Sequence, residues 1–240
     1  MTESASDRFG AVMSRVTAAC ERSRRDPSEV TLIGASKSQP LDRMRAAWEA
    51  GLRVFGENRV QEALGKMDQL PPEVEWHFIG PLQSNKARKV VPRFVAVHSI
   101  DRTKIAMVLD GEARKQGARL QGYLEINLGG EPTKHGFEPA TLLDRAAPIA
   151  DLEGLEIVGL MAIPPFEPEI EQMRGWFRKL RQLRDELCSR AEWAGCPGYL
   201  SMGMSYDFEV AVEEGATHIR VGTALFGPRP QTDIDRGKGE

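Results

Sequence analysis

Eight short apolar runs alternate with stretches of helical spacing from one end of this chain to the other, and few folds accept that order. The runs are 30–37, 53–56, 76–80, 94–99, 122–127, 157–163, 199–202 and 219–222. Most are continuously apolar rather than alternating, the pattern of parallel strands covered on both faces. Between them, 41–50, 103–116 and 170–191 carry apolar residues three and four apart; Met173, Phe177, Leu180, Leu183 and Leu187 make the longest stripe. That stripe reads as a helix packed on a core. Gly51 and Gly117 stand where helices should stop. Eight strands with intervening helices predict an α/β chain folded as a single (β/α)8 TIM barrel over residues 31–228. Residues 8–24 are helical in pattern and precede the first strand, so residues 1–30 are expected as an extension packed on or across the barrel base. Residues 229–240, rich in Pro, Gly and charge, read as a fraying polar tail.

Bulk properties remove several function classes. The formal net charge is −3, from 32 Lys and Arg against 35 Asp and Glu, so no field of one sign is available to hold nucleic acid. A hydrophobic content of 41% supplies a real core and argues against disorder. Cys20, Cys188 and Cys196 are too few and too irregularly spaced for a disulfide framework, and they lack zinc-ligand spacing. A reducing, cytoplasmic setting is expected. No apolar stretch approaches the ~18 residues of a membrane span, and the polar start, Met1 to Asp7, is unlike a secretory signal.

In such barrels function sits at the carboxyl ends of the strands. Here those ends gather polar and glycine residues, while the strand interiors read as apolar. The first run stops on Ser36-Lys37, the second on Gly56-Glu57-Asn58, the seventh on Ser201-Met-Gly-Met-Ser205 and the eighth on Gly222-Thr223. A terminal lysine is most often a solvated surface residue. Lys37, however, follows the small residues Gly34, Ala35 and Ser36, which leave room beside the backbone. A lysine whose neutral form is favoured by desolvation or nearby cations forms imines with aldehydes.

Arg220 alternates with Ile219 and Val221, so its side chain either enters the barrel or joins an ion pair among the helices. Facing a pyridine nitrogen, a guanidinium would keep that nitrogen unprotonated. Gly222-Thr223 resembles the phosphate-binding turn that follows strands seven and eight of such barrels, and Thr223, Ser201 and Ser205 offer hydroxyl donors. A Gly-Thr pair alone is usually only a turn. Lysine and turn together suggest a site for a phosphorylated aldehyde, pyridoxal phosphate foremost.

Other residues carry plainer readings. Asn58 either bonds a ring hydroxyl or caps the helix that follows it, the commoner role. His77, between Trp76 and Phe78, reads as a hydrogen-bonded core histidine; His98, His135 and His218 form no metal spacing. Asp207 and Glu209 should open a helix, where carboxylates suit the dipole.

The segments Ala35-Ser-Lys37, Phe55-Gly-Glu-Asn-Arg-Val-Gln-Glu62, Trp76-His-Phe-Ile-Gly-Pro-Leu-Gln-Ser-Asn-Lys86, Gly159-Leu-Met-Ala-Ile-Pro164, Leu200-Ser-Met-Gly-Met-Ser205 and Arg220-Val-Gly-Thr-Ala-Leu-Phe-Gly227 resemble the pyridoxal phosphate homeostasis protein family. Its fold is similar to the barrel domain of alanine racemase. The resemblance implies that Lys37 carries pyridoxal phosphate as an internal aldimine and that Arg220 faces the pyridine nitrogen. It places Ser201, Ser205, Gly222 and Thr223 around the phosphate, Asn58 near the ring, and Met161 and Met202 beside the cofactor. Arg59 stands where a tyrosine is common and Tyr206 where an aspartate is common.

The resemblance leaves two activities to separate. One is a cofactor carrier that buffers the reactive aldehyde inside the cell and delivers it to apo-enzymes that use it. The other is a pyridoxal phosphate-dependent amino-acid racemase, which needs acid–base groups on both faces of the substrate Cα. In the alanine racemase arrangement the group opposite lysine is a tyrosine from a second domain of the partner subunit, and no counterpart of that domain is expected here after the barrel. Of Tyr123, Tyr199 and Tyr206, only Tyr206 falls near the predicted rim. The carrier, without catalytic activity and as a monomer, is the expectation. A phosphosugar barrel enzyme with a Schiff-base lysine satisfies the fold but not the motifs.

Overall fold

The computed structural model describes residues 3–131 and 135–228; the expected polar tail lies outside them. All eight apolar runs become parallel strands: β1 (Thr31–Ala35), β2 (Val54–Glu57), β3 (Glu75–Phe78), β4 (Ala96–Ile100), β5 (Leu120–Glu125), β6 (Leu155–Met161), β7 (Tyr199–Met204) and β8 (His218–Val221). They pair in chain order and close on themselves as a barrel. The closing joint is β1 on β8, with Thr31, Leu32, Ile33 and Gly34 opposite His218, Ile219, Arg220 and Val221. One α-helix or helical turn follows every strand: α2 (Leu41–Glu49), α3 (Val60–Met67), α4 (Ala87–Val90), α5 (Thr103–Lys115), α6 (Leu142–Ala146), α7 (Ile170–Cys188), α8 (Phe208–Glu213) and α9 (Thr223–Phe226). Gly51 and Gly117 turn the chain out of α2 and α5 with φ of 118° and 61°, which a side chain rarely accepts.

Before β1 comes α1 (Ala5–Ser23), opened by a Ser4–Asp7 capping box and closed by Arg24 in the left-handed region. It does not lie across the base. Its mouth end is tied to α9, where Arg8 donates to the Leu225 carbonyl at 2.9 Å, and beyond its base end Arg25 donates to the carbonyls of Val212 and Ala216. It runs along the outside of the barrel, packed on α8, α9 and α2. The reason is the brevity of α9: one turn leaves the β8–β1 joint bare. The buried stripe Val12, Val16, Ala19 and Cys20 fills the space among α8, α9 and α2 on that side. Salt bridges from Arg15 to Glu209 and from Arg22 to Glu213, the latter at 2.6 Å, fasten the outer edge.

The interior corrects one expectation. Strand cores are not wholly apolar: His77, His98, Ser201, His218, Arg220 and Tyr123 are all buried inside the strands. Ala96, Tyr123, Val158 and Met161 form a small separate apolar cluster. Completely buried strands carry either kind of residue, provided polar groups find partners, and these do. No helix among the described residues is long and apolar enough to cross a membrane.

Candidate functional site

A cavity of about 380 Å3 opens at the carboxyl ends of β1, β2, β3, β6, β7 and β8, lined by Lys37, Asn58, Ser205, Arg220, Gly222 and Thr223, with Ala35, Gln39, Ile79, Ile163, Met204 and Tyr206. Residues more than 180 apart in sequence meet here because β1 and β8 are neighbours in the closed barrel. A wider hollow of about 760 Å3 adjoins it above α3 and shares Lys37 and Asn58.

Lys37 stands two residues past β1 rather than on it. Ser36 N still donates to the Gly56 carbonyl at 2.9 Å, after which the chain turns, with Ser38 left-handed at φ 59°. Asn58 does not cap α3: that helix starts after Arg59 with no side-chain cap. Among the described residues no hydrogen bond engages the Asn58 amide, which leaves it free to meet a ligand. Gly80 permits this placement, since a Cβ there would sit 2.5 Å from the Asn58 carbonyl oxygen.

At the opposite end, the backbone N–H groups of Gly222 and Ala224 both point at Ser205 Oγ, at 3.2 and 3.4 Å. Two amides converging on one oxygen, with the Thr223 hydroxyl between them, form a cradle of the kind that binds phosphate oxygens.

Arg220 enters the barrel and forms the floor. Its guanidinium donates to Ser201 Oγ at 2.6 Å and to the Ala162 carbonyl at 2.9 Å. No carboxylate among the described residues forms an ion pair with it. Burial pushes its pKa down to about 10, opposed by the fields of Asp207 and Glu125, so it stays cationic at neutral pH.

Beneath it runs a hydrogen-bonded chain. Ser201 Oγ, which accepts from Arg220, also pairs with His98 Nδ1 at 2.8 Å, and His98 Nε2 pairs with His77 Nδ1 at 2.9 Å. Burial holds all three core histidines neutral. His77 falls to about 3 and His218 to about 4, and His98 lies well below the usual range.

Three residues expected beside the cofactor do not line this cavity. Ser201 faces inward but sits below the floor, on Arg220. Met161 is buried in the inner cluster with Tyr123. Met202, next to Ser201 on β7, takes the opposite face and joins the main core. His77 is the hydrogen-bonded core residue its neighbours suggested. Asp207 and Glu209 open α8 as expected, Asp207 at the N-cap position and Glu209 in the first turn, although the Asp207 carboxylate accepts from Met204 N at 2.6 Å and not from the helix.

Sequence reasoning did not single out Ile79, Ile163 or Met204 as lining residues, because apolar side chains at strand ends carry no chemical signature. Glu125, at the end of β5, was also missed. It lines a smaller neighbouring cavity with Asn58, Ser99 and His135. Burial, reinforced by Asp101 and opposed by Arg220, raises its pKa to about 7. Among the described residues no set of three or more His, Cys, Asp or Glu is arranged to hold a metal ion.

Comparison with known proteins agrees with this geometry. Residues 35–230 match the model of the alanine racemase N-terminal domain. A pyridoxal phosphate homeostasis protein from Aquifex aeolicus is 45% identical over 94% of this chain and 98% of its own length. The solved structure of PipY from Synechococcus elongatus, with pyridoxal phosphate bound to it, is 39% identical, covers 90% of this chain and all of that one, and superposes with a TM-score of 0.77. Alanine racemase from Clostridium difficile, 14% identical with a TM-score of 0.70 over 95% of this chain and 58% of its own, shares the fold alone. The chain belongs to the pyridoxal phosphate homeostasis protein family, built on the alanine racemase N-terminal domain fold.

Proposed function

We propose that this protein holds pyridoxal phosphate as an imine on Lys37 and serves as a carrier that buffers the cofactor and delivers it to apo-enzymes. One observation carries the reading: an amine, a buried guanidinium and a backbone anion cradle converge on a single cavity. The residues present fit the group. The cofactor's aldehyde end has Lys37, its phosphate end has the N–H groups of Gly222 and Ala224 with the Ser205 and Thr223 hydroxyls, and its ring nitrogen has Arg220. When bound, the cofactor supplies a reactive aldehyde and an electron-withdrawing ring; Arg220, permanently charged, keeps the ring nitrogen unprotonated and the electron sink weak. Free cysteines suit the reducing, cytoplasmic setting that such a role implies.

The racemase reading needs a second acid–base group over the cavity. Tyr206 lines it, but its hydroxyl already donates to the Pro168 carbonyl at 2.7 Å and its ring lies against the exposed Phe166 at 5.5 Å. This supports the carrier. The test is borohydride reduction of the loaded protein followed by peptide mapping. The cofactor is expected on Lys37 and absent from Lys37→Ala; a label on another lysine overturns the assignment. Racemisation of an amino acid that depends on Lys37 and outpaces free pyridoxal phosphate would replace the carrier with the enzyme.

A further inference from the structure

The two peptide groups that flank Lys37 are both held by α3. On one side, the Ser36 carbonyl accepts from Lys66 Nζ at 2.9 Å. On the other, Ser38 N donates to Glu62 Oε1 at 2.6 Å. The two holding side chains are joined to each other, Lys66 Nζ to Glu62 Oε1 at 2.7 Å, and to the fully buried Glu57, Lys66 Nζ to Glu57 Oε1 at 2.8 Å. Glu57 closes the loop, accepting from Ser36 Oγ at 2.7 Å. All three Lys66 protons are thereby used, so this second lysine beside the site is withheld from any aldehyde.

This arrangement stabilises a conformation the chain would otherwise avoid. Ser38 is one of two non-glycine residues with positive φ among the described residues, and such a residue persists only where its surroundings over-determine it. A buried ion cluster is also a poor means of gaining stability, since desolvation consumes most of its attraction. Burial raises the pKa of Glu57 against the pull of Lys66 and Ser36, and its second oxygen is buried without a partner. An assembly that is costly, strained and centred on one residue serves that residue.

We infer that Glu62 and Lys66, anchored by Glu57, are positioning residues for Lys37, setting the strained turn that aims its amine into the cavity. The inference rests on the carrier reading above. It assigns the cluster to the approach of the amine and not to the affinity for phosphate, which belongs to the cradle on the far wall.

The experiment compares wild type, Glu62→Ala and Glu62→Gln. Glutamine keeps an acceptor for Ser38 N and Lys66 and removes only the charge; alanine removes both. Two quantities are read: the rate at which pyridoxal phosphate becomes reducibly attached to Lys37, and the affinity for pyridoxine 5′-phosphate, which has the phosphate but no aldehyde. Glu62→Ala should slow attachment by about tenfold, the scale of a modest misalignment of reacting groups. Its affinity for pyridoxine 5′-phosphate and its thermal midpoint should match wild type, and Glu62→Gln should restore most of the rate. Attachment by Glu62→Ala at the wild-type rate overturns the inference. So does a parallel loss of pyridoxine 5′-phosphate affinity, which marks general damage to the cavity, or a failure of Glu62→Gln to rescue. If wild type itself attaches nothing to Lys37, the carrier chemistry falls first and this inference falls with it.

Discussion

Gly222 separates binding from folding at a single atom. A Cβ added there would meet Ala35 O at 3.5 Å and Ala35 Cβ at 3.7 Å, ordinary contacts, so Gly222→Ala should fold normally. The same methyl crowds the cradle between β8 and β1, and affinity for pyridoxine 5′-phosphate should fall by about tenfold, or ~1.4 kcal/mol, as measured by calorimetry. Arg220→Glu should weaken the same affinity by at least about tenfold by replacing the cation of the floor with an anion in a cavity that takes an anionic ligand; unchanged binding would show that the floor of the cavity plays no part. Chemistry-bearing types at strand ends were legible from sequence: Lys37, Asn58, Ser205, Arg220, Gly222 and Thr223 all line the cavity. Ser201, Met161 and Met202 do not line it, because a motif gives neighbourhood but not depth or facing. Adjacent residues of a strand point to opposite faces, and the irregular pairing of β7 with β8 between Ser201 and Met204 further separates Ser201 from the rim where Ser205 sits.

Among the elements, α1 does what a longer helix after β8 would do. Val16 is fully buried in its stripe, so Val16→Asp, which buries an unpaired carboxylate among α1, α8, α9 and α2, should cost ~3 kcal/mol or more. Urea denaturation checks this, and a cost below about 1 kcal/mol would mean the helix is dispensable. The strands were readable because continuous burial leaves continuous apolar runs, and the structure shifts their ends by only a few residues. The location of α1 was not readable. Its apolar stripe fits any apolar surface, and only the one-turn length of α9 marks which gap stands open. The polar interior was equally hidden: His77, His98 and His218 lie too far apart in sequence for their ring contacts to leave a pattern.

For the molecule as a whole, buried titrating groups set how stability varies with pH. The core histidines have folded pKa values below their unfolded value near 6.5, so the unfolded chain binds more protons and stability is lost as pH falls below about 6.5. Glu125 acts in the opposite sense. Its folded pKa, about 7, exceeds the unfolded 4.5, so its burial is harmless below pH 4.5 and fully destabilising above about pH 7. Glu57 and Asp207, also raised by burial, add to it. Glu125→Gln should therefore be more stable than wild type at pH 8, with the difference vanishing below pH 4.5, in urea titrations of both proteins across that range. A gap that persists at pH 4 would place the effect in packing. The β1–β8 joint has a consequence of its own. Lys37 follows the earliest strand to leave the ribosome, and the proposed phosphate cradle follows the latest, so a vitamin bound to both would be a clasp fastened across the final closure of the ring. On the proposed reading, a nascent chain short of its last strand lacks the Gly222 and Ala224 amides and keeps only the Ser205 hydroxyl for the phosphate, and loosening that one joint in the finished protein would part the amine from the cradle while the other seven pairings stay intact.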